Sequence, residues 1–476
     1  MAIEPPLCVD LDGTLLRTDL LYEALSVLLR QQPLFVFFLP VWLFTGGKAR
    51  LKAEIAARVD ISSSDFPLNQ EVVEFTRAEK EKRETVLVTG SHQRFADSIA
   101  ENLDLFDRVQ GSDEKVNLTN TRKREWLVEQ YGEGGFDYIG NDKDDLKVWP
   151  SARKALAVST HDGIAASPEA RIDHVFEQTA PTFKEYLGLM RVHQWSKNVL
   201  VLVPFFLDQR FTDAQALVTI VLAFFAMSFL ASATYLVNDM LDLQADRQNT
   251  VKSKRAFASG RISLKRGAFL VIALLLAVLF LTFLLPQSFN WLLLVYLVST
   301  VAYSLVLKQR AIIDVIVIAA LHTLRVIGGI VAINAEWSFW LLAFSMFIFF
   351  SLALAKRVAE LKNLESEGRK VTMGRDYQVG DIPVLLASGV STGFLSVLVV
   401  ALYINGEKVQ ELYQAPMLLW LVCPILMYWI ARVWIKTSRG EMHEDPLVFA
   451  IKDTVSRLVV LSIMLSVAAA MFVAWH

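Results

Sequence analysis

Asp10 and Asp12 stand two residues apart in Leu7-Cys8-Val9-Asp10-Leu11-Asp12-Gly13-Thr14, where an apolar run meets a glycine turn. Two carboxylates so placed can reach one site. One can bind a metal and attack phosphorus, and the other can carry a proton to the leaving oxygen. Three further groups follow in a consistent order. Thr89 closes the run TVLVTG (85–90) and offers a hydroxyl to a phosphoryl oxygen. Lys123, in TRKREWL, can neutralise phosphate charge, with Arg122 and Lys115 as alternatives for that role. Asn141, Asp142 and Asp145 follow FDYIG (136–140) and can complete a Mg²⁺ shell with oxygen ligands.

A second constellation lies at Asn238-Asp239-Met240-Leu241-Asp242-Leu243-Gln244-Ala245-Asp246-Arg247. Asn238, Asp242 and Asp246 are spaced i, i+4, i+8, which puts them on one helix face, one turn apart. Such a column repels itself unless a cation sits within it, and Mg²⁺ bridging a diphosphate is the natural occupant. A solvated helix end is the blander explanation, but it accounts poorly for the basic residues that follow. Lys252, Lys254, Arg255 and Arg261 suit a phosphate-rich ligand. Arg325 falls mid-way along an apolar stretch, beside His322. A charge there should face a polar cavity, as a phosphate contact or as half of a structural ion pair with Asp314.

The elements that must hold these groups belong to two different objects. The chain has 476 residues, 54% of them hydrophobic, and a net charge of −2. Residues 1–190 hold 22 Lys/Arg and 31 Asp/Glu, against 25 and 18 in the remainder. An acidic soluble domain followed by a basic membrane domain is expected. Nine apolar stretches approach the roughly 20 residues a bilayer crossing needs: about 187–207, 214–236, 267–285, 290–307, 311–333, 337–355, 382–404, 416–435 and 455–475. The first is weakest, because Arg191, His193 and Lys197 interrupt it, and eight crossings with a re-entrant first segment is the alternative. Loops at one set of helix ends carry twenty Lys/Arg, against Arg210 and Lys408 at the other. The positive-inside rule then places the N-terminal domain in the cytosol and the C-terminus outside, in a bacterial plasma membrane. The lack of a signal peptide agrees. Cys8 and Cys423 are too far apart in sequence for a disulfide framework.

In the soluble part, LCVDL (7–11), TVLVTG and FDYIG read as parallel strands with chemistry at their C-terminal ends. Residues 15–80 and 115–131 read as largely helical. PLFVFFLPVWLF (33–44) is too short to span, and reads equally as a buried cap helix or as a surface lying on the membrane. The expected boundaries are a domain over 1–160, a linker over 161–184 and a membrane domain over 185–476.

The four motifs around Asp10, Thr89, Lys123 and Asn141 resemble those of the haloacid dehalogenase (HAD) superfamily over about residues 5–155. The resemblance implies a Rossmannoid parallel sheet with a helical cap and a Mg²⁺-dependent phosphatase. Asp10 would be the nucleophile, Asp12 the general acid/base, and Thr89 and Lys123 the phosphate-binding pair. Asn141 departs from the usual aspartate. The second motif, with about nine helices, resembles the UbiA superfamily of intramembrane prenyltransferases over about 183–476. HQWSKNVLVLVPFF (193–206), YSLVLK (303–308), DVIVIAALHTLRVIGG (314–329) and AKRVAELKNLE (355–365) look like its phosphoribosyltransferase branch. That branch moves 5-phosphoribose from phosphoribosyl diphosphate (PRPP) to a polyprenyl (decaprenyl-type) phosphate. Ordinary members carry a second aspartate-rich motif where this chain has Lys356-Arg357-Val358-Ala359-Glu360. The resemblance implies that PRPP and the lipid phosphate touch Lys197, Asp239, Arg247, Lys252, Arg255, Arg261, Tyr303, Lys308, Arg325, Lys356, Arg357 and Glu360. The two halves together imply successive steps on one lipid-linked pentose. Two other functions remain open: an aromatic prenyltransferase, and a HAD domain that only regulates. No nucleic-acid partner is expected, and self-association is left open.

Overall fold

The computed structural model describes residues 4–61, 66–113, 116–160, 171–368, 375–442 and 445–473. The chain divides into two compact units, one of Met1–Arg191 with Tyr235–Ala273 and one of Val192–Thr234 with Leu274–His476.

The first unit is built on a six-stranded, all-parallel sheet of order β3-β2-β1-β4-β5-β6. The strands are β1 (Leu7–Val9), β2 (Thr85–His92), β3 (Arg108–Ser112), β4 (Asp137–Gly140), β5 (Lys154–Thr160) and β6 (Ile172–Gln178). Strand alternation sends Leu7, Val9, Leu87 and Ile139 to one apolar layer, and Cys8, Val86, Val88 and Tyr138 to the other. A strand covered on both faces reads as a continuous apolar run, which is why β1, β2 and β4 are legible in the sequence. β3, β5 and β6 are polar-edged and were not expected. The sheet continues to Gln178, past the expected boundary at 160, and takes in part of the expected linker. The order reverses at β1, so the ends of β1 and β4 flank the switch point where open α/β sheets bind ligands.

Helices α1 (Leu20–Gln31), α2 (Leu39–Ala56) and α3 (Gln70–Lys80) lie between β1 and β2, and α4 (Gln93–Leu103) and α5 (Thr121–Tyr131) follow. The segment 33–44 forms a 3₁₀ turn, Pro33–Phe37, and the start of α2. Trp42 is buried beneath Arg58, but Leu34, Phe37 and Phe44 are 73%, 74% and 87% exposed. The buried-cap alternative therefore does not hold for this segment.

Eight helices among the described residues are long and apolar enough to cross a membrane. They are α8 (Ala214–Leu241), α10 (Leu264–Thr282), α11 (Gln287–Leu305), α12 (Ile313–Ala332), α13 (Phe339–Ser366), the stretch Val379–Ile404 that contains α14 (Ile382–Ile404), the stretch Pro416–Ser438 that contains α16 (Val422–Ser438), and α18 (Thr454–Phe472), with short helices α9 (Leu243–Arg247), α15 (Glu407–Leu412) and α17 (Pro446–Lys452) between them. The weakest expected span, 187–207, is not one helix. It divides into α6 (Phe183–Leu189), a 3₁₀ stretch Val192–Leu202 and α7 (Val203–Leu207). Arg191 breaks it with φ 52°, and Pro204 lacks the N–H to continue it. In the second unit this broken segment lies close on α12. A Cβ on Gly329 would sit 2.1 Å from the Val201 carbonyl, so only glycine allows the approach.

Candidate functional site

The phosphate-type constellation assembles at the C-terminal ends of β1, β2 and β4. Gly13 turns the chain back with φ +75°, and a Cβ there would meet Asn141 Nδ2 at 2.1 Å. The Asp10 N–H donates to the Ile139 carbonyl (3.0 Å), which fixes the β1 loop against the end of β4. Lys123, buried on α5, donates to Asp10 Oδ1 at 2.7 Å and to the Tyr138 hydroxyl at 2.9 Å, and stands 3.4 Å from Asp145 Oδ1. Among the described residues, Asp10 Oδ2 carries only a long contact, 3.4 Å, from the Thr14 hydroxyl, which also reaches Asn141 Oδ1 at 3.1 Å. One carboxylate oxygen is thus held by a cation while the other is met by the Thr14 hydroxyl. Burial pushes the Asp10 carboxyl up to about 7, with Lys123 opposing the rise and Asp145 and Asp12 adding to it.

Asp12 is fixed by three donors. The Leu20 N–H reaches Oδ1 (2.8 Å), while the Ser91 (2.6 Å) and Thr89 (3.3 Å) hydroxyls reach Oδ2. Asp145 is fully engaged: besides Lys123 and the Tyr138 hydroxyl (2.6 Å), it accepts the N–H groups of Asn141 (2.9 Å) and Asp142 (3.0 Å). It shapes the loop that carries Asn141. Asp142 is turned to its own loop, where its carboxylate accepts from the Lys143 N–H (2.6 Å). Lys115 lies outside the described residues, and Arg122 is exposed beside the buried Lys123. Ser91, Tyr138 and Lys52 went unremarked in the sequence. Lys52 reaches from α2 to the Gly90 carbonyl (2.5 Å) and to Asn117 Oδ1 (3.0 Å), and burial lowers its affinity for a proton.

The aspartate motif closes α8 and runs into α9. The expected column is only partly formed, because Asp242 has φ −90° and ψ 9° at the junction of the two helices. Asn238 Nδ2 donates to Asp242 Oδ2 (3.0 Å), and Arg30 pairs with Asp242 Oδ1 (3.0 Å). Asp246 is instead joined to Asp239 through Arg255, at 2.6 and 3.1 Å, and Arg191 also holds Asp239 (2.6 Å). Lys252 stands 3.9 Å from Asp246. Two expected phosphate contacts are corrected. Arg247 is buried against Glu23 (2.6 Å), and Arg261 is spent on Glu185 and the carbonyls of Thr179 and Ala180. Neither guanidinium is directed to a ligand.

Among the described residues, no group of three or more His, Cys, Asp or Glu is arranged to hold a metal. The donor chemistry of both clusters nonetheless fits Mg²⁺, which takes oxygen ligands and keeps several waters. Asp10 Oδ2 and Asn141 Oδ1 meet at one hydroxyl, and Asn238 and Asp242 sit side by side.

In the second unit, Lys197 and Lys356 both donate to Asp445 Oδ2, each at 3.0 Å. Arg357 points elsewhere, since neighbours in a helix diverge by about 100°. It is buried between Asp314 (2.7 Å) and Glu360, and Glu360 also takes Arg375 (2.8 Å). The expected basic pair is therefore split: Lys356 joins Lys197, while Arg357 is structural. Asp314 is not the partner of Arg325. Eleven residues along one helix are about 16 Å apart, and Asp314 is bound by Arg357 and the Tyr377 hydroxyl. Arg325 donates instead to Asn198 Oδ1 (2.8 Å), the Tyr296 hydroxyl (2.8 Å) and the Leu321 carbonyl (2.5 Å). Tyr303 and Lys308 lie near the C-terminal end of α11 and in the 3₁₀ turn after it.

The model of the UbiA prenyltransferase family matches residues 201–452, just over half of the chain. This chain belongs to the UbiA prenyltransferase family. It is 37% identical over 95% of its length to the uncharacterized protein y4nM of Sinorhizobium fredii, covering 88% of that protein. It is 30% identical over 61% of its length to the nodulation protein NoeC of Azorhizobium caulinodans, covering 94% of it. It is 31% identical over 38% of its length to the decaprenyl-phosphate phosphoribosyltransferase of Mycobacterium tuberculosis, spanning 62% of that protein. Against the UbiA background, Asp445 is the group that sequence reasoning missed. It stands in the loop after α16 beside Glu441 and Glu444, with no spacing to mark it among them.

Proposed function

We propose that the membrane domain transfers 5-phosphoribose from PRPP to a polyprenyl phosphate, and that the N-terminal domain is a HAD phosphatase that then removes the 5-phosphate. The observation that carries the transfer reading is Lys356 beside Lys197 on one carboxylate, where a second metal-binding aspartate motif would serve a prenyl diphosphate. Two ammonium groups suit an anionic lipid headgroup. The relatives named decaprenyl-phosphate phosphoribosyltransferase support the same substrate class. In the transfer, an oxygen of the lipid phosphate attacks the anomeric carbon of PRPP, the carbon–oxygen bond to diphosphate breaks, and diphosphate leaves. Asn238 and Asp242, which the fold brings together, would hold Mg²⁺, which would supply charge neutralisation at the leaving group. Lys252, half exposed and 3.9 Å from Asp246, is placed for the phosphates.

In the second step, Asp10 Oδ2 attacks phosphorus and Asp12 gives its proton to the leaving sugar oxygen. Asp12 then takes a proton from the water that splits the aspartyl-phosphate. Lys123 and Thr89 hold the phosphoryl oxygens, and Asp10 with Asn141 would hold Mg²⁺. The exposed apolar residues Leu34, Phe37 and Phe44, near Lys48 and Arg50, give this domain a surface for lipid. The loop charges support a cytosolic position for both sites in a bacterial cell.

The test is mass spectrometry of lipids formed by the full-length protein from PRPP, polyprenyl phosphate and Mg²⁺. The wild type should give polyprenyl-phosphoryl ribose. Asp10→Asn should give the same lipid still bearing its 5-phosphate. No PRPP-dependent lipid product refutes the transferase reading, and identical products from both proteins refute the phosphatase step.

A further inference from the structure

Within the first unit, α1 lies between the two aspartate motifs. It begins at the N-cap Asp19, and the N–H of its first residue, Leu20, holds Asp12 Oδ1 at 2.8 Å. One face of the same helix then meets the α8–α9 segment. Glu23, 2% exposed, accepts from the Thr18 hydroxyl (2.6 Å) and takes both Arg247 nitrogens, at 2.6 and 3.1 Å. Ser26 donates to the Met240 carbonyl, and Arg30 pairs with Asp242. Positions 23, 26 and 30 are spaced i, i+3, i+7, a single helical stripe. Arg247 in turn donates to the Ala258 carbonyl (3.1 Å) and lies over Phe66, so it ties the loop after α9 back to the motif.

A forked guanidinium–carboxylate pair fixes orientation as well as distance, and leaving either charge buried alone is costly. Residues that sequence assigns to the phosphatase half thus set the backbone from Met240 to Ala258, which contains Asp242, Asp246 and Arg255. We propose that Glu23 is a positioning residue of the transferase, holding the aspartate motif and its basic loop through Arg247, so that the transfer reaction depends on the N-terminal domain. This rests on the phosphoribosyl-transfer reading above.

The test uses full-length protein carrying Glu23→Gln, which keeps shape but not charge, and Glu23→Asp, which keeps charge. Glu23→Gln should raise KM for PRPP on the order of tenfold or more, with a smaller change in kcat, because misplacement of binding groups is what it causes. Trypsin should cut faster after Lys252, Lys254 or Arg255 in that variant. Glu23→Asp should stay close to wild type in both readouts. Hydrolysis of a water-soluble phosphate ester should stay within about twofold throughout, since Glu23 touches no phosphatase group. An unchanged KM for PRPP in folded Glu23→Gln overturns the proposal, as does an equal loss in Glu23→Asp or a parallel fall in both activities. A wild type inert toward PRPP refutes the reaction reading alone. The proteolysis arm then decides the loop restraint, and equal cleavage rates overturn it.

Discussion

In the proposed phosphatase reaction, Lys123→Met removes the cation that keeps the Asp10 carboxyl ionised. In the wild type, burial has already pushed the Asp10 carboxyl up to about 7, and Lys123, 2.7 Å from Oδ1, is what opposes a further rise. An opposite charge at such range moves a carboxyl by about 1–3 pH units. Taking roughly two puts the variant's Asp10 near pH 9. In the metal-free protein about half of the wild-type carboxyl would be ionised at pH 7, against about one part in a hundred in the variant. The carboxylate population at pH 7 should therefore fall ~50-fold, and the deficit should shrink to about twofold at pH 9. The sign follows from burial, which disfavours the charged form: losing the opposing cation raises the pKa, removes carboxylate at low pH and returns it as pH rises. The assay is a carbon NMR titration of the Asp10 carboxyl in metal-free full-length protein, with Lys123→Arg as the variant that retains the charge. If Lys123→Met titrates together with the wild type, Lys123 does not act on Asp10.

Three further outcomes are expected. Gly13→Ala strains a φ of +75° by about 1–2 kcal/mol and drives a methyl into Asn141. It should abolish ester hydrolysis while PRPP-dependent transfer persists, and normal hydrolysis would show that the turn is not needed. Lys356→Met removes one charge-assisted donor, worth about 1.5–3 kcal/mol. It should raise KM for polyprenyl phosphate at least tenfold and leave KM for PRPP within about twofold; a rise in KM for PRPP instead would reassign the cluster to the sugar phosphate. Replacing Phe37 and Phe44 together by Ser touches two exposed side chains, so thermal stability should hold. Dephosphorylation of the lipid product in membranes should slow while hydrolysis of a soluble ester does not; equal rates on both would remove the lipid-contact role.

What the sequence determined by itself is local. β1, β2 and β4 were legible because strands buried on both faces must be continuously apolar, and their polar ends mark where loops leave the sheet. The eight continuous spans were legible because a bilayer imposes length and composition on each helix independently of the others. Asp10, Asp12 and Lys123 could be named because chemistry restricts residue type. Partnership was decided by the tertiary structure. Arg247 and Arg261 read as phosphate contacts, yet Glu23 and Glu185 neutralise them from far along the chain. Arg325 and Asp314 share a helix but not a partner, because eleven residues separate them along its axis. Lys356 and Arg357 are adjacent, and the helical turn sends one to Asp445 and the other to Asp314. Periodicity is a property of one segment, whereas an ion pair depends on which segments the fold brings within about 4 Å. That distance has no counterpart in the spacing of residues along the chain.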